Sequence, residues 1–263
     1  YGMYSAKAGG DVTLNLYGSR EESTNTYGGV YGVYGSYNDG ADLVGGNFTF
    51  NYKGGKAPYL YGAYGYNNSS LSAIKGWADI NIEKGTFNTV YGVSYASVGK
   101  DMTFDFGENC VTSNYVYVSY YGSIQGNVIS NTYNANSSTT MPYYYGVYYS
   151  DVAGNVTSVV DGGYYTYLYG VYGKNKAGIG GDVDITFKNI NKDAKPNYSY
   201  TTYGTSYTNI AGDVKVTISD SNFPYLYGTD DCASNGNVSV NINNVNVDYY
   251  LYAAEVQGVT GNI

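Results

Sequence analysis

Tyrosine is the residue type here whose abundance and spacing could do chemistry, with 38 copies in 263 residues. Tyr31, Tyr61, Tyr91, Tyr145, Tyr169, Tyr203 and Tyr227 each open a Tyr-Gly step, and most of these steps continue as Tyr-Gly-x-Tyr. A phenol repeated at fixed spacing offers a flat ring to a sugar face or to a partner's aromatic ring, and a hydroxyl for hydrogen bonding. The same residue also suits a half-buried strand face, where it ladders with itself. Both readings stand at this level: self-assembly or glycan contact on one side, plain strand packing on the other. Among the carboxylates, Asp182 and Asp213 hold equivalent places in adjacent copies of a repeat. That puts them close enough to share a cation, or makes them two solvated corner residues.

Much chemistry is excluded by what is missing. There is no His, so no Ser-His-Asp triad, no His-ligated zinc and no imidazole switch. With Arg20 as the single arginine and a net charge of −8, the electrostatic footprint of a nucleic-acid binder is also missing. Cys110 and Cys232 are too few for a disulfide scaffold and lack metal-ligand spacing. No cofactor and no catalytic constellation are expected.

The elements that position the tyrosines come from a repeat. A Gly, a polar residue and then alternating apolar and polar positions recur, as in Gly181-Asp-Val-Asp-Ile-Thr-Phe187 and Gly212-Asp-Val-Lys-Val-Thr-Ile218. Starts fall at 10, 46, 76, 100, 126, 154, 181, 212, 236 and 261, so nine intervals cover 251 residues and the mean period is about 28. Lys100 stands in the Gly place of one copy. The Tyr-Gly phrase lies between these starts, so each unit holds one clean period-2 strand and a second strand broken by Gly. No stretch keeps a 3.6-residue period, and no helix is expected.

One such unit is too small to bury a core. Stacking copies solves this, because each strand then pairs with its counterpart about 4.8 Å above and below. The expected fold is all-β: a single β-solenoid over residues 1–263, a right-handed parallel β-helix of about nine to ten rungs. Val214, Val216 and Ile218 point inward in one rung, and Val238, Val240 and Ile242 in the next. Gly at the head of each copy suits a corner that needs unusual angles or close packing. The following Asp or Asn is expected to build an amide ladder along the axis. Cys110 and Cys232, four rungs apart, are expected to be free or to pair between chains.

The Gly-Asn/Asp-Val-x-Val-x-Ile phrase followed by Tyr-Gly resembles the repetitive β-helix regions of large bacterial surface proteins, adhesin-like or autotransporter-passenger-like. The resemblance runs from Gly10 to Ile263. It implies a surface or secreted location and a structural or adhesive role, and it brings no catalytic residues. Low charge and abundant Asn, Ser, Thr, Gly and Tyr agree with an extracellular setting. No run of about 18 apolar residues offers a transmembrane helix. The chain starts and stops in mid-repeat, which reads either as an excerpt of a longer array or as head-to-tail stacking on other copies. Arg20 with Glu21-Glu22, Asp230-Asp231, and the Lys188, Lys192, Lys195 group read as solvated loops. Parallel β-helix hydrolases and lyases use clustered carboxylates, or calcium with a base, and Arg20 has no such cluster beside it. A competing architecture takes each unit as a β-hairpin of an outer-membrane barrel, with Tyr as its aromatic girdle.

Overall fold

The computed structural model describes residues 2–4, 6–17, 28–35, 43–65, 73–133, 143–173, 178–192 and 201–262. Among these residues there is no helix, and the strand pairings are parallel. Register follows the repeat. Val12 pairs with Phe48, and the ladder continues through Ala78, Met102, Val128, Val156, Val183 and Val214 to Val238. Nine levels with eight steps between them make a β-solenoid of eight turns. Antiparallel hairpins are the unit of an outer-membrane barrel, so parallel pairing rules that architecture out.

Each full rung has three sides: the alternating strand, the tyrosine strand and a two-residue strand such as Asp151–Val152 or Asn209–Ile210. All three send apolar side chains inward. Val183, Ile185 and Phe187 are buried from the first side, Leu168 and Leu226 from the second, and Val152, Ile179 and Ile210 from the third. Period-2 alternation leaves Asp184 and Thr186 outside. Each fully buried aliphatic side chain contributes about 1.5–3 kcal/mol, which no isolated unit could collect. Val214, Val216 and Ile218 are inward as expected. In the following rung burial fades from Val238 to Ile242, which is 38% exposed because a rung covers only one side of it.

The corner ladder differs from the expected one. The side-chain Oδ1 of each corner Asp or Asn accepts the backbone N–H of its counterpart in the next rung. Asn127 Oδ1 takes Asn155 N at 2.8 Å, Asn155 takes Asp182 at 2.8 Å, Asp182 takes Asp213 at 2.8 Å and Asp213 takes Asn237 at 2.7 Å. Amide-to-amide bonding occurs elsewhere, on the outer face of the first strand, where Asn51 Nδ2 donates to Asn15 at 2.8 Å and Asn81 to Asn51 at 3.0 Å.

This corner explains its glycines by space. A Cβ on Gly154 would stand 2.5 Å from Asn127 Oδ1, and Gly46, Gly76, Gly126, Gly181, Gly212 and Gly236 meet the oxygen of the preceding rung in the same way. Trp77 is the one corner residue without such an oxygen, and the rung after it is the one that carries Lys100 in the Gly place. The two exceptions are therefore one. We expect Trp77→Asn alone to destabilise, because the new oxygen meets the Lys100 side chain. Trp77→Asn with Lys100→Gly should instead gain about 1 kcal/mol, the net worth of one hydrogen bond, less the cost of a new glycine. Thermal melts of the two variants check this; a double variant no more stable than the single one would refute the steric pairing.

Two further corners use the left-handed region. Asn189, Asp220 and Asn244 share one, with φ of 56°, 50° and 53°, as Asn and Asp tolerate. Tyr95, Tyr121, Tyr149 and Tyr207 share the other, with φ of 50–51°. That is uncommon for a bulky side chain and is offset by ring stacking.

Candidate functional site: the tyrosine face

The tyrosine strand breaks its alternation at Tyr-Gly, where Gly170 and Val171 are buried in succession, and glycine is needed for contact on both sides. A Cβ on Gly170 would lie 2.5 Å from the Gly204 carbonyl oxygen in the next rung and 2.7 Å from the inward side chain of Ile185. Gly62 meets the Gly92 oxygen and Ile80 at similar distances. With the backbone pinned here, the preceding tyrosine takes the same outward direction in every rung.

The seven Tyr-Gly tyrosines lie in one stack. Tyr31–Tyr61 and Tyr61–Tyr91 have centroids 4.6 Å apart and rings within 2° of parallel. Tyr145–Tyr169, Tyr169–Tyr203 and Tyr203–Tyr227 follow at 5.0, 4.6 and 4.8 Å. Two members lack the glycine and escape a search for Tyr-Gly. Tyr117, followed by Val118, joins Tyr91 to Tyr145 at 5.1 Å on each side, and Tyr252, followed by Ala253, stacks on Tyr227 at 5.1 Å. The signal that finds them is the lead two residues earlier, Tyr115-Val-Tyr117 and Tyr250-Leu-Tyr252, matching Tyr167-Leu-Tyr169. Nine rings from Tyr31 to Tyr252 thus form an unbroken column.

Flanking ladders widen the column into a face. Three positions on, Tyr120, Tyr148 and Tyr172 stack at 5.2 and 5.4 Å and meet the main column edge-on, as in Tyr145–Tyr148 at 4.8 Å and 74°. Beside them Tyr95, Tyr121 and Tyr149 stack at 5.1 and 4.9 Å. Ring pairs of this kind add about 0.5–1.5 kcal/mol each beyond area burial.

The stacking decides what the face presents. Ring planes are covered by the next ring, so solvent meets edges and hydroxyls. Burial of the rings against one another, then mutual repulsion of the phenolates, pushes Tyr91 up to about 12 and Tyr61, Tyr117, Tyr145, Tyr169 and Tyr203 above the ordinary phenol value. These phenols are neutral at physiological pH. The tyrosine strands contain no charged residue from Gly29 to Tyr207, outside Lys56 at a strand entry. Charges sit on the alternating strand, in pairs such as Lys215–Asp184 at 2.9 Å, Lys188–Asp161 at 3.0 Å and Lys53–Glu83.

Other sequence candidates fall into place. Asp182 and Asp213 are neighbours in the corner ladder, and the Oδ1 of each already accepts a backbone N–H. No group of three or more potential metal ligands occurs among the described residues. Asp230 is not in a solvated loop: it occupies the Tyr172 position two rungs on, and accepts a hydrogen bond from Ser206 at 2.9 Å. Burial pushes its carboxyl up. Lys188 ends a strand and pairs with Asp161, while Lys195 lies outside the described residues, as do Arg20, Glu21 and Glu22. Cys110 and Cys232 are free and both are buried, which leaves neither thiol at the surface for a bond between chains. Among the described residues no helix is long and apolar enough to cross a membrane.

Compared with family models, curated proteins and solved structures, the chain matches none.

Proposed function

We propose that this chain is a structural segment of an extracellular fibre or adhesin stalk that packs side by side on itself through the tyrosine face. The observation that carries this reading is the nine-ring column on a face that is free of charge from Tyr31 to Tyr207, set against charged residues on the alternating strand. A continuous apolar and hydroxyl-bearing surface of this size marks an interaction site on a soluble protein. Rigid tyrosines suit such contacts because they bring large area for little lost conformational freedom. Edge-on rings with outward hydroxyls match the same face on a second copy, where hydroxyls bond across and ring edges interleave.

Sedimentation velocity and electron microscopy of the whole chain test this. The expected result is rods that associate laterally, with little weakening by salt, since the face brings no charge to the contact from Tyr31 to Tyr207. Placing charge on the face, with Tyr120→Lys and Tyr148→Lys, should return the chain to single rods. Single rods at every concentration, unaffected by these substitutions, would remove the proposal.

The same row of hydroxyls supports a second reading, a glycan-binding surface. Because the ring planes are occupied, sugar contact would run through hydroxyl hydrogen bonds along the column. Binding to a glycan array by single rods, lost in Tyr145→Phe with Tyr169→Phe, favours it over self-association.

A further inference from the structure

The column is a chain of closely spaced, chemically alike redox groups. All eight steps from Tyr31 to Tyr252 lie between 4.6 and 5.1 Å, centroid to centroid. The phenols are neutral, and the flanking rings Tyr120, Tyr148 and Tyr172 meet the column edge-on at 4.8, 4.8 and 5.1 Å. The two thiols, which could intercept an oxidising equivalent, are buried.

We propose that the tyrosine stack relays oxidising equivalents along the solenoid axis, accepting a hole from a one-electron oxidant of the ferryl-haem class and passing it from ring to ring. At entry, the oxidant gains one electron, and the first phenol loses that electron and passes its hydroxyl proton to solvent water, becoming a neutral phenoxyl. At each later step the next phenol gives up one electron and one proton, and the preceding phenoxyl regains both. The sum of a step is one phenol and one phenoxyl exchanging identities, with nothing consumed. The relay belongs to a single chain and does not depend on association between copies.

The ladders predict where the path can be cut. At Tyr145 there is a bypass: Tyr117 lies 5.3 Å from Tyr148, which lies 5.4 Å from Tyr172, itself 5.1 Å from Tyr169. At Tyr203 the flanking place is Ser206, and in the next rung it is Asp230. Tyr207 touches Tyr172 at 5.9 Å, but its counterpart in the next rung is Asp231. Among the described residues the hole must therefore pass through Tyr203.

The test uses the whole chain with Glu255→Cys, carrying a ruthenium polypyridyl photo-oxidant near the Tyr252 end, with persulfate as the sacrificial electron acceptor. Phenoxyls are trapped with a nitroso compound and located by mass spectrometry. The expected result is trapped adduct at Tyr31 and Tyr61, lost in Tyr203→Phe and retained in Tyr145→Phe. Phenylalanine keeps the ring and the stack, and circular dichroism confirms that both variants are folded. Adducts confined to Tyr249, Tyr250 and Tyr252 in the parent would overturn the relay. Distal adducts that survive Tyr203→Phe would overturn it too, since the oxidant would then be reaching those rings through solution.

Discussion

Between pH 10 and pH 12 this protein should unfold in one steep transition, with phenolate absorbance and loss of strand signal rising together. Column phenols ionise above the ordinary value of 10.0, because the folded chain buries them against one another and crowds their charges. The unfolded chain ionises near 10. Above that pH the folded state holds more protons than the unfolded one, so stability falls as pH rises. The contribution is fully present below pH 10 and declines as pH approaches the folded values, about 12 for Tyr91. Burial of Cys110, whose thiol is pushed up to about 12, acts in the same direction. Many coupled groups share one column, so the first ionisations weaken the environment that protects the rest. Parallel titrations by absorbance at the phenolate band and by far-ultraviolet circular dichroism check this. Phenolate growing gradually while the strand signal stays constant to pH 12 would show that the rings are not held as described.

Gly170→Val should be the most damaging single change on the tyrosine strand, costing about 3 kcal/mol or more through overpacking. Its first carbon already meets the Gly204 carbonyl and the Ile185 side chain, and neither a strand backbone nor a buried isoleucine can retreat. The protein contains its own compensated version. Val118 occupies the equivalent place two rungs earlier, and by the same offset the inward residue opposite it is Ser130. Both Val118 and Ser130 are fully buried. Pairing Gly170→Val with Ile185→Ala should therefore cost less than the two single changes added, with a coupling of about 1 kcal/mol. Denaturant melts of the four proteins measure it. Strict additivity would mean that the carbonyl contact alone sets the cost.

Some of this could be read along the chain and some could not. Alternation in Val183, Ile185 and Phe187 identifies an inward face because side-chain direction in a strand has period 2. Recurrence of that phrase at about 28 residues makes stacking the only way to cover it. Both facts are local in sequence, and both held in the structure. The corner ladder was half legible: the Asp/Asn positions were plain, but the donors their oxygens accept from are backbone N–H groups of another rung. Spacing along one rung says nothing about which donor a carbonyl oxygen will meet across the stack.

The tyrosine column shows the same division. The repeat by itself determined that Tyr31, Tyr61, Tyr91, Tyr145, Tyr169, Tyr203 and Tyr227 recur once per rung, because identical spacing in stacked units brings identical positions together. Tyr117 joined only in three dimensions, and Tyr252, which keeps the tyrosine of the phrase without its glycine, joins by pairing with Tyr227, since strand register places a residue by its pairing, whatever follows it in sequence. Tertiary structure alone decided that the rings cover one another and offer edges to solvent, because ring orientation depends on the 4.6–5.1 Å between neighbouring centroids. It also decided that the lapses of Tyr-Gly-x-Tyr at Ser94, Ser206 and Asp230 fall in line with the flanking rings as gaps in their ladder. Those gaps arise from alignment between rungs, a relation between residues about 28 positions apart that neither carries alone.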